Sequence, residues 1–167
     1  MKNIAIRPAT LDDFSEILRI NEETVHFLSP LTMEKLEHLN EECRIHLVAV
    51  EDGKVLAFCL AFREGADYDS INYLWFKDHY EKFLYIDRVV VSAEDRKKGL
   101  GNRLYEEIFK KGMEDKVPVI TAEIDIVPPN PVSLNFHKKF GFHEVGKQEV
   151  SGGKKIVSLQ AVEINRE

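Results

Sequence analysis

Residues 83–104 decide how this chain is interpreted, and they read Phe-Leu-Tyr-Ile-Asp-Arg-Val-Val-Val-Ser-Ala-Glu-Asp-Arg-Lys-Lys-Gly-Leu-Gly-Asn-Arg-Leu. The apolar run from Phe83 to Val91 is typical of a buried strand. Gly99 and Gly101 end a polar turn, and apolar residues then recur at helical spacing. The stretch therefore predicts a strand, a glycine-rich turn and a helix over about residues 99–114, with an inner face of Leu100, Leu104, Ile108, Phe109 and Met113.

The predicted turn has the chemistry of a binding site for a diphosphate. A helix N-terminus presents backbone N–H groups that lack intrahelical acceptors, and it carries partial positive charge. Glycine lets a ligand approach the backbone closely, and the neighbouring side chains add positive charge: Arg96, Lys97, Lys98 and Arg103. The turn has neither the Gly-Lys-Ser/Thr of a P-loop nor the three spaced glycines of a dinucleotide site. A solvated basic turn is the alternative interpretation.

A second segment, residues 130–142, predicts a short helix with its own start and stop signals. Asn130 can cap the N-terminus, Pro131 suits the first helical position, and Gly141 suits the end. Arg96-x-x-Gly99-x-Gly101 and the run Asn-Pro-Val-Ser-Leu-Asn-Phe-His-Lys-Lys-Phe-Gly-Phe resemble the two signatures of the GNAT superfamily of acyl-CoA N-acyltransferases. Residues 63–70, 85–88 and 128–131 further resemble an uncharacterised bacterial branch of predicted GNAT acetyltransferases, which indicates no substrate.

The order of predicted elements along the chain is β-α-α-β-β-β-α-β-α-β-β, an α/β (α+β) arrangement in one domain over residues 1–167. The resemblance implies the GNAT fold. In that fold a central, mixed, mostly antiparallel twisted sheet of about seven strands carries helices on both faces and splays between its fourth and fifth strands.

Local signals place the other elements. Thr10 is predicted to cap a helix that runs to about His26 and includes Val25 on its apolar face. Asp52-Gly53 predicts a tight hairpin between strands over residues 45–50 and 55–62. A second helix is expected over residues 32–42, further strands over 4–7, 83–91 and 117–127, and two final strands on either side of residues 151–153. Residues 64–79 show no clear period and are predicted to be a long loop.

The resemblance implies acetyl-CoA as the cofactor and assigns residues to it. In the family, the strand before the turn pairs with the pantetheine arm through its main chain, and the turn binds the pyrophosphate. The residues assigned in this way are Val89, Val90, Val91, Arg96, Lys97, Lys98, Gly99, Leu100, Gly101, Asn102, Asn130, Ser133 and Lys139. Core packing for the valines, helix capping for Asn130 and a favourable helix-end charge for Lys139 are alternative roles.

Acyl transfer needs an unprotonated amine, a stabilised oxyanion and a proton for the leaving thiolate. A tyrosine often supplies that proton in the family, but this chain has His137 at the corresponding position. His137 is therefore the candidate acid, with a structural histidine as the alternative. It shares a helical face with Asn130 and Ser133, while Phe136 and Phe140 are predicted to face the core.

Two carboxylates within apolar strands are the candidates for the base. Asp87 and Glu123 rank together, because a carboxylate in a partly apolar cleft has a raised pKa and can accept a proton directly or through water. Period-2 alternation places Asp87 on one strand face with Tyr85, which is the next candidate acid if His137 has another role. Ordinary surface ion pairs are the alternative role for both carboxylates.

Residues 64–76 combine hydrogen-bond acceptors with aromatic side chains, which suits a cationic primary amine. The alternative is that the carboxylates are solvated and the aromatics pin the loop to the core. The predicted substrate-binding residues are Glu64, Asp67, Tyr68, Asn72, Tyr73 and Tyr85. The next polar cluster, should these fail, is Glu22, Glu23 and His26.

Bulk composition limits the remaining classes of function. The chain has 167 residues and a formal net charge of −6, which argues against nucleic acid as the main partner. No apolar run approaches the ~20 residues of a membrane helix, and the first residues do not form a secretory signal, so a cytoplasmic protein without a membrane partner is expected. Cys43 and Cys59 are too few for a disulfide framework or a zinc site, so no metal is expected.

The interpretation that follows is an acetyl-CoA-dependent N-acetyltransferase. Its substrate is predicted to be a primary amine of a small molecule that attacks directly in a ternary complex. Two alternatives stay open: an acyl-CoA-binding sensor or scaffold with little catalysis, and an enzyme that acetylates amines of peptides or proteins. Many relatives form dimers, so a homodimer is considered, although no interface can be assigned from the sequence.

Overall fold

The computed structural model describes residues 3–24 and 30–165. Contacts between Cα atoms divide the chain into two compact units. The first contains residues 1–62 and 88–111, and the second contains residues 63–87 and 112–167. The expectation of one domain over residues 1–167 stays a prediction.

The first unit is built on three antiparallel strands. β1 (Ala5–Pro8) pairs with β2 (Ile45–Glu51), and β2 pairs with β3 (Lys54–Arg63). The predicted hairpin is confirmed: Asp52 and Gly53 have φ angles of 50° and 77°, the left-handed conformation that two-residue hairpins require. The second half of β4 (Leu84–Val91) and most of α4 (Leu100–Glu114) also belong to this unit.

Helices α1 (Phe14–Glu22) and α2 (Met33–Glu42) complete the first unit. Thr10 forms a capping box with Asp13, but a single 3-10 turn at Leu11–Asp13 separates this cap from α1. The predicted cap is therefore confirmed, while α1 begins later than expected. Val25 and His26, the predicted end of this helix, lie outside the described residues. α2 begins after Thr32, whose side chain accepts the backbone N–H of Lys35.

The second unit contains α3 (Ile71–His79), β5 (Val119–Val127), α5 (Pro131–Lys139), β6 (His143–Val150), β7 (Lys155–Glu163) and the first half of β4. β4 and β5 run parallel and pair at Leu84↔Ile120 and Tyr85↔Thr121. Within this unit the pairing ends at Tyr85, as the predicted splay between the fourth and fifth strands requires. β7 pairs antiparallel with both β5 and β6.

The described strands follow the order β1-β2-β3-β4-β5-β7-β6. This is the predicted mixed, mostly antiparallel sheet of seven strands, and β4 with β5 is its parallel pair.

The prediction of a long loop over residues 64–79 is wrong in its second half, where α3 forms. Ser70 caps α3 by accepting the backbone N–H of Tyr73. Tyr73 and Phe76 are fully buried, and their rings pack on Tyr85 with centroids 5.7 Å away in each case. The run shows no helical period because the apolar residues Ile71 and Leu74 lie on exposed faces of α3, so tertiary packing decides its conformation.

Helices cover both faces of the sheet in the second unit. On one face, Trp75 of α3 lies so close to Gly146 of β6 that a Cβ there would be 2.6 Å from the indole ring. On the other face, a Cβ at Gly112 near the end of α4 would lie 3.2 Å from Ile120. Met113, predicted to face inward, is half exposed, because α4 buries a narrower stripe than expected and includes Tyr105 in it.

Candidate functional site

The turn between β4 and α4 lies within the first unit and is held by a small polar network. The backbone N–H of Ser92 donates to the carbonyl of Leu56, and the Ser92 hydroxyl donates to the carboxylate of Asp95. Lys98 donates to the other oxygen of that carboxylate at 2.7 Å. Asp95 is buried, which alone would raise its pKa, but the hydrogen bonds from Lys98 and Ser92 leave the pKa lowered. An ionised Asp95 thus anchors both sides of the turn.

Two residues of this turn adopt the left-handed backbone conformation. Lys97 has a φ of 78° and Gly99 a φ of 73°, and α4 begins at the next residue. The backbone N–H groups of Leu100, Gly101 and Asn102 are in the first helical turn, where no intrahelical carbonyl can accept them. The space beside Gly99 is open, since a Cβ at this position would meet no atom within 4 Å. Free donors at the positive end of a fifteen-residue helix fit a diphosphate.

The predicted positive charges of the turn have different surroundings. Lys98 pairs with Asp95, whose hydrogen bond raises the pKa of the lysine, and Arg103 donates to the carbonyl of Ile4. Arg96 and Lys97 are exposed on the turn itself. Their exposed side chains are positioned on the surface of the turn, where they can add positive charge to a bound phosphate. In the strand before the turn, Val90 is buried and Val89 and Val91 are half-buried.

The second unit brings two phenols and two carboxylates together. The hydroxyl of Tyr68 donates to Asp87 at 2.5 Å, and the hydroxyl of Tyr85 donates to Glu123. Tyr68, Tyr85 and Asp87 are buried, while Glu123 is half-buried. Tyr85 and Asp87 share a face of β4 as predicted, and β5 supplies Glu123 beside them. We call these four residues the acidic cluster.

The acidic cluster controls the protonation of Tyr85. Burial raises the pKa of this phenol well above its usual value, and the negative charges of Glu123 and Asp87 raise it further. The phenol therefore stays protonated at all ordinary pH values and acts as a hydrogen-bond donor. An arrangement of carboxylates with phenol donors that hold them in place can bind an ammonium group or accept a proton from it.

Helix α5 places three predicted residues on one face. The side chain of Asn130 accepts the backbone N–H of Ser133, so the predicted cap is confirmed. Nδ1 of His137 lies 2.8 Å from the carbonyl of Ser133 and 3.3 Å from its hydroxyl. Burial lowers the pKa of His137, and the bond to the Ser133 carbonyl opposes this only in part. The imidazole is therefore neutral at pH 7, with Nδ1 donating to the backbone.

The prediction that Phe136 and Phe140 face the core holds only in part. Both are half-buried, and His137 is the buried side chain of α5, with its ring 5.1 Å from that of Phe142. The buried face of α5 is therefore centred on His137 and not on the two phenylalanines. Lys139, the remaining predicted residue here, is exposed.

A family model described as the acetyltransferase (GNAT) family matches residues 9–142. The chain belongs to the acetyltransferase (GNAT) family. A curated N-alpha-acetyltransferase of Sulfolobus acidocaldarius is 29% identical over 145 residues, which are 86% of this chain and 82% of that protein. The family and this relative make the chain an N-acetyltransferase, and acetyl-CoA is the acetyl donor of such enzymes. The non-catalytic sensor considered from the sequence is therefore set aside.

Solved structures agree on the GNAT fold. Ard1 from Thermoplasma volcanium superposes with a TM-score of 0.79 at 16% identity and covers 98% of this chain and 99% of its own. A Salmonella typhimurium protein, yncA, solved with its cofactor acetyl-CoA, has a TM-score of 0.75 at 18% identity and covers 98% of this chain and 95% of its own. At these identities the likeness shows the fold.

Two of the predicted substrate-binding residues, Glu64 and Tyr73, form hydrogen bonds within the protein. The carboxylate of Glu64 accepts two hydrogen bonds from Arg63, at 2.8 and 2.9 Å, and a third from the backbone of Phe83. Burial alone would raise its pKa, but these bonds leave the pKa lowered. The hydroxyl of Tyr73 donates to the carbonyl of Arg63 and accepts the N–H of Ala66, so it holds the turn before α3.

The other predicted substrate residues are more accessible. Asp67 is exposed, and Asn72 is half-buried, where its side-chain oxygen accepts a hydrogen bond from Gln148 at 3.0 Å. The structure thus brings Tyr68 and Tyr85 into the acidic cluster and leaves Glu64, Asp67, Asn72 and Tyr73 outside it. Glu22 and Glu23, the reserve candidates, lie in the first unit at the end of α1.

Sequence reasoning missed two polar residues of the GNAT chain on the same sheet face as Glu123. Asp125 follows Glu123 by two residues on β5, and Lys155 of β7 lies 3.8 Å from it. The alternation that identified Asp87 would also have identified Asp125, but its lysine partner depends on strand register.

Within residues 3–24 and 30–165 no group of three or more His, Cys, Asp or Glu could hold a metal ion. No helix in those ranges is long and apolar enough to span a membrane.

Proposed function

We propose that this enzyme transfers the acetyl group of acetyl-CoA to a primary amine by direct attack in a ternary complex. The observation that carries the proposal is the acidic cluster, in which two buried phenols hold two carboxylates in the second unit. Bound acetyl-CoA supplies a thioester carbonyl. The amine nitrogen forms a bond to that carbon, the carbon–sulfur bond breaks, one amine proton leaves for a base, and the thiolate takes up a proton.

Glu123 is the residue we assign as the base. It is half-buried, so it combines access to substrate with partial desolvation, whereas Asp87 is buried and accepts the hydrogen bond of Tyr68. Tyr85 acts as a positioning residue, because its hydroxyl donates to Glu123 and holds the carboxylate in one orientation. Asp87 adds negative charge beside Glu123 and favours a cationic amine in the cluster.

His137 is retained as the sequence-based candidate for the acid. Its Nδ1 is bonded to the Ser133 carbonyl and its pKa is lowered, so this geometry supports a structural histidine. If His137 only packs α5, His137→Phe will lower stability and leave turnover within about 10-fold of the parent, whereas loss of an acid costs about 10²–10⁴-fold.

The turn and first helical residues from Arg96 to Asn102 are proposed to bind the pyrophosphate of acetyl-CoA. Support comes from the left-handed backbone at Gly99 and the unaccepted N–H groups that begin α4. Main-chain pairing of the pantetheine arm is assigned to Val89, Val90 and Val91. Asn130 and Ser133 already bond to one another, so their contact with the cofactor is a proposal that rests on the family resemblance.

Two kinds of amine carrier are candidates. The sequence predicts a small molecule whose cationic amine is bound by the acceptors and aromatics of residues 64–76. Those aromatics are largely core residues, since Tyr68, Tyr73 and Phe76 are buried. The N-terminus of a peptide is the second candidate, favoured by the curated relative named an N-alpha-acetyltransferase. The predictions of a cytoplasmic location and of a homodimer stay untested expectations.

The test measures thiol release from acetyl-CoA with amino acids, polyamines and short peptides as acceptors. We expect at least one primary amine to be acetylated, and Glu123→Gln to reduce kcat by about 10²–10⁴-fold with the KM for acetyl-CoA unchanged. Glu149→Gln is the matched control, because Glu149 is an exposed carboxylate on β6 of the same unit. Equal turnover in the Glu123 and Glu149 variants would refute the assignment of the base.

A further inference from the structure

Asp125 and Lys155 form an ion pair that the proposed chemistry does not use. Asp125 lies two residues after Glu123 on β5, so both side chains share one face of the sheet. Its Oδ2 is 3.8 Å from Nζ of Lys155, and the two side chains are 10% and 24% exposed. The pair belongs entirely to the second unit, as does the acidic cluster.

One carboxylate oxygen of Asp125 accepts no hydrogen bond from the described residues. Oδ2 of Asp125 is buried and has no hydrogen-bond partner among the described residues. Burial raises the pKa of Asp125, and the charge of Lys155 offsets this only in part. At 3.8 Å the two groups attract one another but are too far apart for a direct hydrogen bond. A buried acceptor without a donor is costly unless a ligand supplies the donor.

We propose that Asp125 and Lys155 bind the main chain of a peptide substrate at its third residue, with Asp125 accepting the N–H and Lys155 donating to the C=O. This inference rests on the proposed amine acetylation and names a peptide as the carrier of the amine. In an extended chain, the N–H and C=O of one residue point to the same side. An acceptor beside a donor is the complement of that pair of groups.

The spacing of Glu123 and Asp125 along β5 matches the distance between the first and third residues of an extended peptide. Alternate residues of a strand are about 6.6–6.8 Å apart, which separates Glu123 from Asp125. Two residues of an extended peptide span about 6.6–7.2 Å, and the first and third residues present the same side. A peptide whose terminal amine reaches Glu123 therefore brings the N–H of its third residue to Asp125.

Other ligands match the pair less well. The second ammonium of a diamine would approach Asp125 against the charge of Lys155, and a carboxylate would approach Lys155 against the charge of Asp125. A peptide main chain carries no net charge and offers one donor and one acceptor per residue.

The test compares a tripeptide amide with the depsipeptide in which an ester oxygen replaces the N–H of the third residue. Affinity is measured by calorimetry in the presence of coenzyme A, so that it does not depend on turnover. We expect the parent enzyme to bind the tripeptide amide about 10-fold more tightly than the depsipeptide, and Asp125→Ala to bind both equally. Lys155→Met should weaken both ligands and keep the preference for the N–H.

Asp125→Asn and a thermal melt of each variant separate a loss of binding from a loss of folding. Lys147→Met is the matched control, since Lys147 pairs with Ser158 on the opposite face of the sheet. An equal affinity of the parent for amide and ester would overturn the inference, as would a preference that survives in Asp125→Ala. Failure of the proposed function has a different signature: the tripeptide binds with the expected preference, yet no amine is acetylated.

Discussion

His46 is a buried histidine whose removal tests how the first unit responds to acid. It lies on β2 between the rings of Phe14 and Phe58, with centroids 5.7 and 6.5 Å away. Its Nδ1 is 2.7 Å from the side-chain oxygen of Asn40, and its Nε2 is buried with no partner among the described residues. Burial lowers the pKa of His46 to about 4, against the opposing charge of Asp13. The native state therefore contains a neutral imidazole at neutral pH.

The loss of unfolding free energy at low pH follows from the difference between the pKa of His46 in the native and the unfolded chain. His46 has a pKa of about 4 in the native state and an ordinary value of 6.5 when unfolded, a difference of about 2.5 pH units. The unfolded chain binds the proton first, so stability is fully present above pH 6.5 and is lost as the pH falls toward 4. At about 1.36 kcal/mol per unit, the loss approaches about 3 kcal/mol by pH 4. His46→Gln should remove this part of the pH dependence.

The assay is urea unfolding followed by circular dichroism at a series of pH values between 7 and 4, with NMR titration of the imidazole as a direct check. The quantity compared is the slope of unfolding free energy against pH, parent minus His46→Gln. His38→Gln is the control, because His38 is exposed on α2. Asp13, whose pKa the hydrogen bond from Arg7 lowers to about 2, titrates below this window. Parallel slopes for parent and His46→Gln, or an imidazole pKa near 6.5, would refute the reasoning.

Two further predictions test the positions of glycines. Gly99→Val should weaken acetyl-CoA binding by about 10-fold or more, because a φ of 73° is strained for a valine and the turn must rearrange; calorimetry giving the parental Kd would contradict this. Gly146→Ala should destabilise the second unit by about 1–3 kcal/mol, since its Cβ would lie 2.6 Å from Trp75. Urea unfolding monitored by Trp75 fluorescence measures the loss, with His143→Ala on the same strand as the control, and an unchanged midpoint would show that α3 can shift freely.

Local signals in the sequence were sufficient for several elements. Thr10 and Asn130 each cap a helical segment as predicted, and Asp52-Gly53 forms the hairpin. A cap or a two-residue turn depends on groups three or four positions apart, so the chain itself brings its partners together. The glycine-rich turn before α4 belongs to the same class, and with residues 130–142 it was enough to indicate the family.

α3 shows where such signals fail. Its buried residues, Tyr73 and Phe76, pack on Tyr85 from another part of the chain, and the helix has exposed apolar residues such as Ile71 and Leu74. A helix of nine residues is marginal on its own, so the packing of its aromatics decides that it forms. The same packing places the ring of Tyr73 in the core against Tyr85, while its hydroxyl bonds to the backbone of Arg63 and Ala66 and not to the carboxylates of the acidic cluster.

The sequence by itself indicated the family, the glycine-rich turn before α4 and the strand face that carries Asp87 with Tyr85. Only the tertiary structure decided that Tyr85 donates to Glu123, 38 residues away, and that Asp125 faces Lys155. The physical reason is that alternation along one strand depends only on neighbouring residues, whereas a pairing across strands depends on register. Register is set by the burial of whole strand faces, so a one-residue slip would turn Glu123 and Asp125 to the opposite side of the sheet.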